Sequence, residues 1–461
     1  MMDVPVPSAV GGTLILSERG EPLSETGLLV RKLDARTSFE TQHLHEYCFS
    51  EPTGLSRDIS SLLGAVRLAD RGFSRHHSRA WTRELHVELP VYELSRWRQQ
   101  EVADSLRDCL QYLTGDNWSF RFVKRRRKPS AVGQIHVVSS PDVPRVFVPF
   151  SHGLDSYAQS EILRAHGGAE VVPVNVNSNR RSGNWKALGR RGRPFTVPVS
   201  SQVEEPRRSE PSFRTRPFIY DMMAAYGAAM SGAQRVLVPE NGQGSLGGSL
   251  VPLGGEAPHR SCHPGFTSRL ARFVLALTGH SVCFEHAAIF VTKGQVLAQL
   301  AGMRPNSEEW LRAHPSCSYD SRHAHDGGHQ VHCGVCGNCL LRQLSLHAAG
   351  IADTTRYKVA DLCASTIEGT FTDGNLPREI SAYRDLAMNS ARSMQRLADL
   401  ACLPESVRVW AEIEGIARYL RRPIQEIKDS MFAFLDQHRT EWAAFLAHCG
   451  ESSWVNRLAR G

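Results

Sequence analysis

The sequence predicts a mixed α/β chain in three parts. These are an N-terminal α+β accessory domain over residues 1–140, a parallel-sheet domain over 141–350 and a C-terminal helical region over 351–461. Three observations predict it. Arg145-Val146-Phe147-Val148-Pro149-Phe150 is a nearly continuous apolar run, as a strand covered on both faces requires. Short apolar runs at Val171–Val174, Arg235–Val238 and Val282–Phe284 repeat that signal with helical segments between, which assembles a parallel sheet. Beyond residue 350 the apolar residues recur at helical spacing.

Taken in order, Ile59, Leu62, Leu63 and Val66 form a helical stripe with Asp58 as its expected cap. Leu85, Val87 and Leu89 alternate like a half-buried strand, and Leu94, Trp97, Val102, Leu106 and Leu110 follow as one helix. The Thr114-Gly115-Asp116 turn leads into a strand at Trp118–Phe122. Lys124–Lys128 reads as a solvated basic loop. After the 145–150 strand, Tyr157, Ile162 and Leu163 lie on a helix that stops at Gly167-Gly168. Residues 177–216 read as an irregular insert, ten basic residues against three acidic ones, either a linker or a lid over an anionic substrate. Gly242-Gln243-Gly244-Ser245-Leu246-Gly247 matches GxGxxG, but no helix is expected after it, so a Rossmann site is set aside. Three stripes close the chain: Ile380 to Leu397, Trp410 to Leu420, and a last helical pair around Phe434, Leu435, Trp442 and Phe445.

At 461 residues, 41% hydrophobic and 22% charged, the composition is globular and excludes a fibrous or wholly disordered chain. No apolar run approaches the ~18 residues of a membrane span. Met1 to Leu16 lacks the basic and apolar pattern of a secretory leader, so the expectation is a cytoplasmic protein with no membrane partner. The net charge of +7 admits nucleotides, nucleic acid or an acidic partner and demands none of them. Eleven cysteines, an odd number, argue against a disulfide framework.

Two constellations carry chemistry. Ser151-His152-Gly153-Leu154-Asp155-Ser156 joins a strand to a helix, where small residues and a helix N-terminus suit an anion such as pyrophosphate. Asp155 is a candidate to hold the loop or to bind Mg²⁺ beside phosphates. The absence of a following Gly-Lys-Ser/Thr excludes a Walker A loop. Cys317, Cys333, Cys336 and Cys339 read C-x15-C-x2-C-x2-C, a spacing that lets four thiolates close a tetrahedral structural Zn²⁺ site. His314, His323, His325, His329 and His332 crowd that stretch and read as solvated loop histidines.

The loop resembles the Ser-Gly-Gly-x-Asp-Ser loop of the PP-loop ATP pyrophosphatases, departing at His152 where the family has Gly. Lys293, in Thr292-Lys293-Gly294-Gln295-Val296, resembles the family's phosphate-reaching lysine. Cys333-Gly334-Val335-Cys336-Gly337-Asn338-Cys339-Leu340-Leu341-Arg342 resembles the zinc segment, here 317–342, of the QueC group, the 7-cyano-7-deazaguanine synthases. The resemblance implies an adenine nucleotide alpha hydrolase-like fold that cleaves ATP between its α and β phosphates. Ser151, His152, Gly153, Leu154, Asp155, Ser156 and Lys293 would bind ATP–Mg²⁺, with Asp155, Ser156 and Lys293 serving catalysis. It also implies adenylation of a 7-deazaguanine-type carboxylate and transfer to a nitrogen nucleophile. Asn175, Arg214, Arg216, Glu240 and Asn241 are the substrate-side candidates. His263–Phe266 lacks the group's Asp and Cys, and Asn175-Val176-Asn177 replaces its Tyr-Gly-Gln.

The flanking regions resemble those of QueC-like proteins of bacterial anti-phage defence, the QatC-type chains of Qat systems nearest and CBASS components next. That implies protein partners from a defence operon, or a nucleic-acid acceptor. Two other functions stay open. One is a nucleic-acid base modifier, with Cys262 or Cys283 as the sulfur carrier if either is more than packing. The other is a non-turning nucleotide-binding scaffold created by His152.

Overall fold

The computed structural model describes residues 11–19, 22–48, 50–75, 81–127, 144–177, 196–206, 210–254, 256–318, 325–326, 329–371 and 379–461. In chain order the large-sheet strands are β1 (Gly11–Ser17), β2 (Leu23–Glu25), β3 (Leu28–Lys32), β4 (Phe39–Glu40), β5 (Glu84–Val91) and β6 (Asn117–Lys124). They continue with β7 (Arg145–Pro149), β8 (Glu170–Asn177), β9 (Val197–Ser201), β10 (Arg235–Leu237) and β11 (Cys283–Glu285). Two compact units emerge. One spans Met1–Ser151, Gly168–Val238 and Gly254–Glu285; the other spans His152–Gly167, Pro239–Leu253 and His286–Gly461.

The first unit holds both large sheets. One runs β2-β3-β1-β5-β6, parallel except for the β2–β3 hairpin. The other runs β11-β10-β7-β8-β9-β4, parallel except for β4. All five residues of β7 are buried, which accounts for its nearly continuous apolar run after Arg145. In β5, Leu85, Val87 and Leu89 alternate into the core as their spacing demands.

Several sequence expectations need correction here. Asp58 does not cap its helix: Thr53 caps Gly54–Gly72, while buried Asp58 accepts from the Tyr92 and Glu93 amides and Trp97 Nε1. The 94–110 stripe is two helices, Leu94–Trp97 and Gln100–Thr114. Lys124 ends β6 rather than lying in a loop, and Glu18 accepts from the Arg126 and Arg127 amides. The insert is not irregular throughout, because β9 pairs in parallel with β8. Its residues 178–195 and 207–209, with Lys128 and His323, lie outside the described residues.

Asp116, in the turn closed by left-handed Gly115, is part of a fully buried charge cluster. It receives Arg75 at 2.7 and 2.6 Å and Arg83 Nη2 at 2.8 Å, and Asp70 receives Arg83 at 2.7 Å. Asp70 also accepts from the Thr215 amide and hydroxyl, fixing the entry to the Arg216–Met230 helix.

The second unit is helical. Its expected final pair is a single 26-residue helix, Ile424–Cys449, because no glycine or proline interrupts 424–449. It packs beside the helices Ile380–Asp399 and Val407–Leu420, and Trp454–Arg460 follows. Among the described residues no helix is long and apolar enough to cross a membrane.

Candidate active site and zinc segment

In the first unit, strand order reverses between β7 and β10. The chain leaving β7 enters the second unit at His152, and the chain leaving β10 enters it at Pro239. Within the second unit Asp155 and Asn241 meet, Asn241 Nδ2 donating to Asp155 Oδ1 at 2.9 Å.

Leu154–His166 begins directly on the loop, with Gly153 as an N-cap that supplies no capping side chain. Leu154 and Asp155 amides in that first turn have no acceptor within the helix, and its dipole favours an anion there. His152 adopts φ 60°, the left-handed region where glycine is the usual residue. Its carbonyl accepts from His314 Nδ1 at 3.0 Å.

Lys293 is the first residue of the Lys293–Met303 helix, whose Thr292–Gln295 capping box pins its start. Only 2% of Lys293 is exposed, and its Nζ lies 2.6 Å from Asp155 Oδ2. A lysine 138 residues away in sequence therefore neutralises the loop aspartate. Glu240 completes the group: its Oε1 accepts from the Asn241 backbone amide at 3.0 Å and from Asn241 Nδ2 at 2.7 Å. Burial first, and then the Asp155 charge, push the Glu240 carboxyl up to about 8, against the opposing pull of Lys293 and the Asn241 hydrogen bonds. One cation thus faces two carboxyls, and Glu240 keeps its proton at neutral pH.

The glycine-rich segment after β10 corrects another expectation, because Gly242–Leu250 does form a helix, capped by Asn241 Oδ1 at the Gly244 amide. Two of its glycines, Gly242 and Gly244, serve packing. A Cβ on Gly244 would lie 2.3 Å from Glu240 Cδ, and one on Gly242 would lie 2.4 Å from the Phe434 ring. The room they leave is taken by protein, so the segment offers no pyrophosphate cradle of the Rossmann kind.

The remaining sequence candidates sit in the first unit or hold local structure. Asn175 Nδ2 donates to the Phe150 carbonyl at 2.7 Å, steadying the chain just before Ser151. Arg214 lies over Trp81 and pairs with Glu256 at 2.9 Å, and Arg216 lies over Tyr220. Ser156 Oγ donates to the Gly153 carbonyl at 3.0 Å. Cys283 is exposed on β11 and Cys262 is half-buried, so packing explains neither thiol fully.

The ligand atoms of Cys317, Cys333, Cys336 and Cys339 lie within 4.8 Å of one another. Zn–S bonds of about 2.3 Å in a tetrahedron set S···S edges of about 3.8 Å. Cys333 Sγ and Cys339 Sγ are 3.8 Å apart, so the cluster fits zinc. The Cys333 amide donates to Cys317 Sγ and the Cys336 amide to Cys333 Sγ, as backbone donors do around thiolates. Four protein sulfurs would fill the coordination sphere of a bound zinc and leave no open position for chemistry.

Two of the nearby histidines, His314 and His332, are not simply solvated. His314 is 4% exposed and stacks on Tyr157 at 4.0 Å between ring centroids. His332 Nε2 accepts from the Ser316 amide, and its ring packs on Tyr357. His325 and His329 lie on a two-stranded ribbon, β12 (His325–Asp326) and β13 (His329–Gln330). Fully buried Arg342, on the helix Gly337–Ala348 that opens beside Cys336, donates to the carbonyls of His314 and Leu311 at 2.9 Å. The zinc segment therefore reaches the loop through Arg342, His314 and the His152 carbonyl.

Sequence reasoning missed Gln243, His438 and Glu441. Gln243 Oε1 accepts from the Lys293 backbone amide at 2.9 Å, and Glu441 Oε1 accepts from Thr292 Oγ1 at 2.6 Å. Polar residues at His438 and Glu441, among apolar positions of a helix face, were the available signal.

No protein-family model matches the chain. It is 31% identical to the 7-cyano-7-deazaguanine synthase of Ruegeria pomeroyi over 23% of its own length and 43% of that enzyme's. It is 26% identical to the synthase of a Ruegeria species over 52% of its length and 93% of that enzyme's. A Rhizobium etli synthase matches at 34% over 22% of this chain and 38% of that enzyme. The first of these matches spans less than half of the relative's length, and together they establish distant homology to these synthases.

Proposed function

We propose that this chain is an ATP-dependent synthase of the QueC type that forms AMP and pyrophosphate while joining a carboxylate to a nitrogen nucleophile. The observation that carries the reading is the 2.6 Å Lys293–Asp155 pair, which places the only buried lysine among the described residues against the strand-to-helix loop. The distant homology to 7-cyano-7-deazaguanine synthases supports it independently.

The loop amides at the Leu154–His166 helix start and Lys293 would hold the β and γ phosphates, with Ser151 and Ser156 as hydroxyl donors. Mg²⁺, when bound, neutralises phosphate charge, and Asp155 is the residue to hold it. A carboxylate oxygen of the substrate attacks the α phosphorus and the bond to the bridging oxygen breaks, releasing pyrophosphate. The nitrogen nucleophile then attacks the activated carbonyl carbon, and AMP leaves with the bonding electron pair. The protein's contribution is positioning and charge neutralisation. Glu240, which keeps its proton at neutral pH, is a donor beside the site once a product or leaving group needs one. A 7-deazaguanine-type acid is the substrate we favour, with action in anti-phage defence alongside protein partners.

The test is AMP and pyrophosphate release from Mg-ATP with and without 7-carboxy-7-deazaguanine, beside Asp155→Ala. Substrate-stimulated AMP that disappears in the variant is expected. ADP formation, or no product from folded, zinc-loaded protein, would refute the synthase reading. One observation favours a second reading, a nucleotide-binding scaffold: a non-glycine residue, His152, occupies a left-handed loop position.

A further inference from the structure

The C-terminal region contributes more than bulk. Phe434, His438 and Glu441 stand at i, i+4 and i+7 on Ile424–Cys449, hence on one helix face. Each meets the candidate site's framework. Phe434 lies against Gly242, His438 bonds Gln243, and Glu441 bonds Thr292. Gly294 completes the fit, since a Cβ there would lie 3.1 Å from Glu441 Oε1 and 2.9 Å from Ala348 Cβ.

The hydrogen-bond directions form one consistent chain. His438 Nε2 contacts the Met394 carbonyl at 3.0 Å, so that nitrogen carries the proton. Nδ1 is then an acceptor and receives Gln243 Nε2–H at 3.4 Å. This orients the Gln243 amide with Oε1 toward the Lys293 backbone N–H at 2.9 Å. Burial lowers the His438 imidazole to about 4, so it stays neutral and keeps this tautomer at physiological pH.

We infer that the Ile424–Cys449 helix is a built-in support of the nucleotide site, with His438 and Glu441 as positioning residues that fix where Lys293 begins its helix and so where its ammonium meets Asp155. The assignment rests on the proposed function for the role of Lys293 at phosphate, whereas the positioning itself can be measured without turnover. Without His438, Gln243 loses the bond that selects its orientation; without Glu441, the Thr292 hydroxyl loses its short 2.6 Å acceptor and keeps only Gln295 Oε1 at 3.4 Å.

The experiment labels the full-length, zinc-loaded protein with an amine-selective acylating reagent and follows Lys293 and Lys428 by mass spectrometry. His438→Leu removes the relay, His438→Asn restores one donor and one acceptor, and Glu441→Leu breaks the second contact independently. Lys293 should label about fivefold to tenfold faster in His438→Leu and in Glu441→Leu, the scale of one lost hydrogen bond. It should return toward the wild-type rate in His438→Asn, with Lys428 unchanged throughout. Equal Lys293 rates in wild type and both leucine variants would overturn the inference, and so would parallel acceleration of Lys428, which signals general loosening. Protection of Lys293 by Mg-ATP in the wild type is read separately: its absence counts against the synthase reading and leaves the positioning result standing.

Discussion

Replacing Glu240 with Gln should flatten one component of the protein's pH-dependent stability. The carboxyl titrates near 4.5 when exposed and near 8 in the fold, raised by burial and by Asp155. Between those values the folded chain keeps a proton that the unfolded chain has released. Stability from this group is therefore intact below about pH 4.5, is lost as pH rises toward about 8, and changes no further above that. The slope is about 1.4 kcal/mol per pH unit, so raising pH from about 5.5 to about 7.5 removes at most about 2.7 kcal/mol. Glu240 is partly accessible, and solvent reduces the figure toward about 1 kcal/mol. Gln keeps the shape and the oxygen that accepts from Asn241 but does not titrate. Urea denaturation of wild type and Glu240→Gln at both pH values isolates the effect as a difference of differences. Wild type should lose about 1–2.5 kcal/mol more than the variant on going to the higher pH. Parallel losses would refute the charge arrangement argued for Glu240, Asp155 and Lys293.

Two further outcomes are expected. His152→Gly relieves a left-handed residue, worth about 1–2 kcal/mol, against about 0.5–1 kcal/mol of extra chain entropy, so the denaturation midpoint should rise slightly. AMP formation should stay within about threefold, since the carbonyl that accepts from His314 is retained; a gain far beyond that would favour the scaffold reading. Chelation, or Cys336→Ser, should release one zinc per chain and cost several kcal/mol of stability, because the Gly337–Ala348 helix starts at that ligand. Hydrogen exchange should then quicken at His152–Asp155, the segment tied to Arg342 through His314; unchanged exchange there would separate the zinc segment from the loop.

What could be read in advance follows from where the deciding forces lie. β7 is legible because burial on both faces writes a nearly continuous apolar run. The zinc ligands are legible because tetrahedral thiolates require close spacing. β1 is not legible, since it opens with Gly11-Gly12, poor strand formers chosen for contact: a Cβ on Gly11 would strike the Glu84 carbonyl at 1.9 Å. The Gly242–Leu250 helix hides for a similar reason. Four of its nine residues are glycine, each costing about 1 kcal/mol of propensity, and the Asn241 cap and Phe434 packing offset that loss. The site divides the same way. Asp155 and Lys293 stand in short local motifs, whereas His438 and Gln243 meet only in the folded chain, 195 residues apart in sequence.

The short strand β4 bears on how the molecule is made. Its register, Phe39 to Ser201 and Glu40 to Ser200, pairs an early segment with one translated about 160 residues later. At about 5–20 residues per second, β4 leaves the ribosome roughly 8–32 s before its partner. In the folded protein the Phe39 amide is bonded to Ser60 Oγ of Gly54–Gly72, a helix translated immediately afterwards, so a local partner for this edge is made long before β9. Removing the first forty or so residues would strip that edge, leaving β9 open to pair with another chain as it emerges.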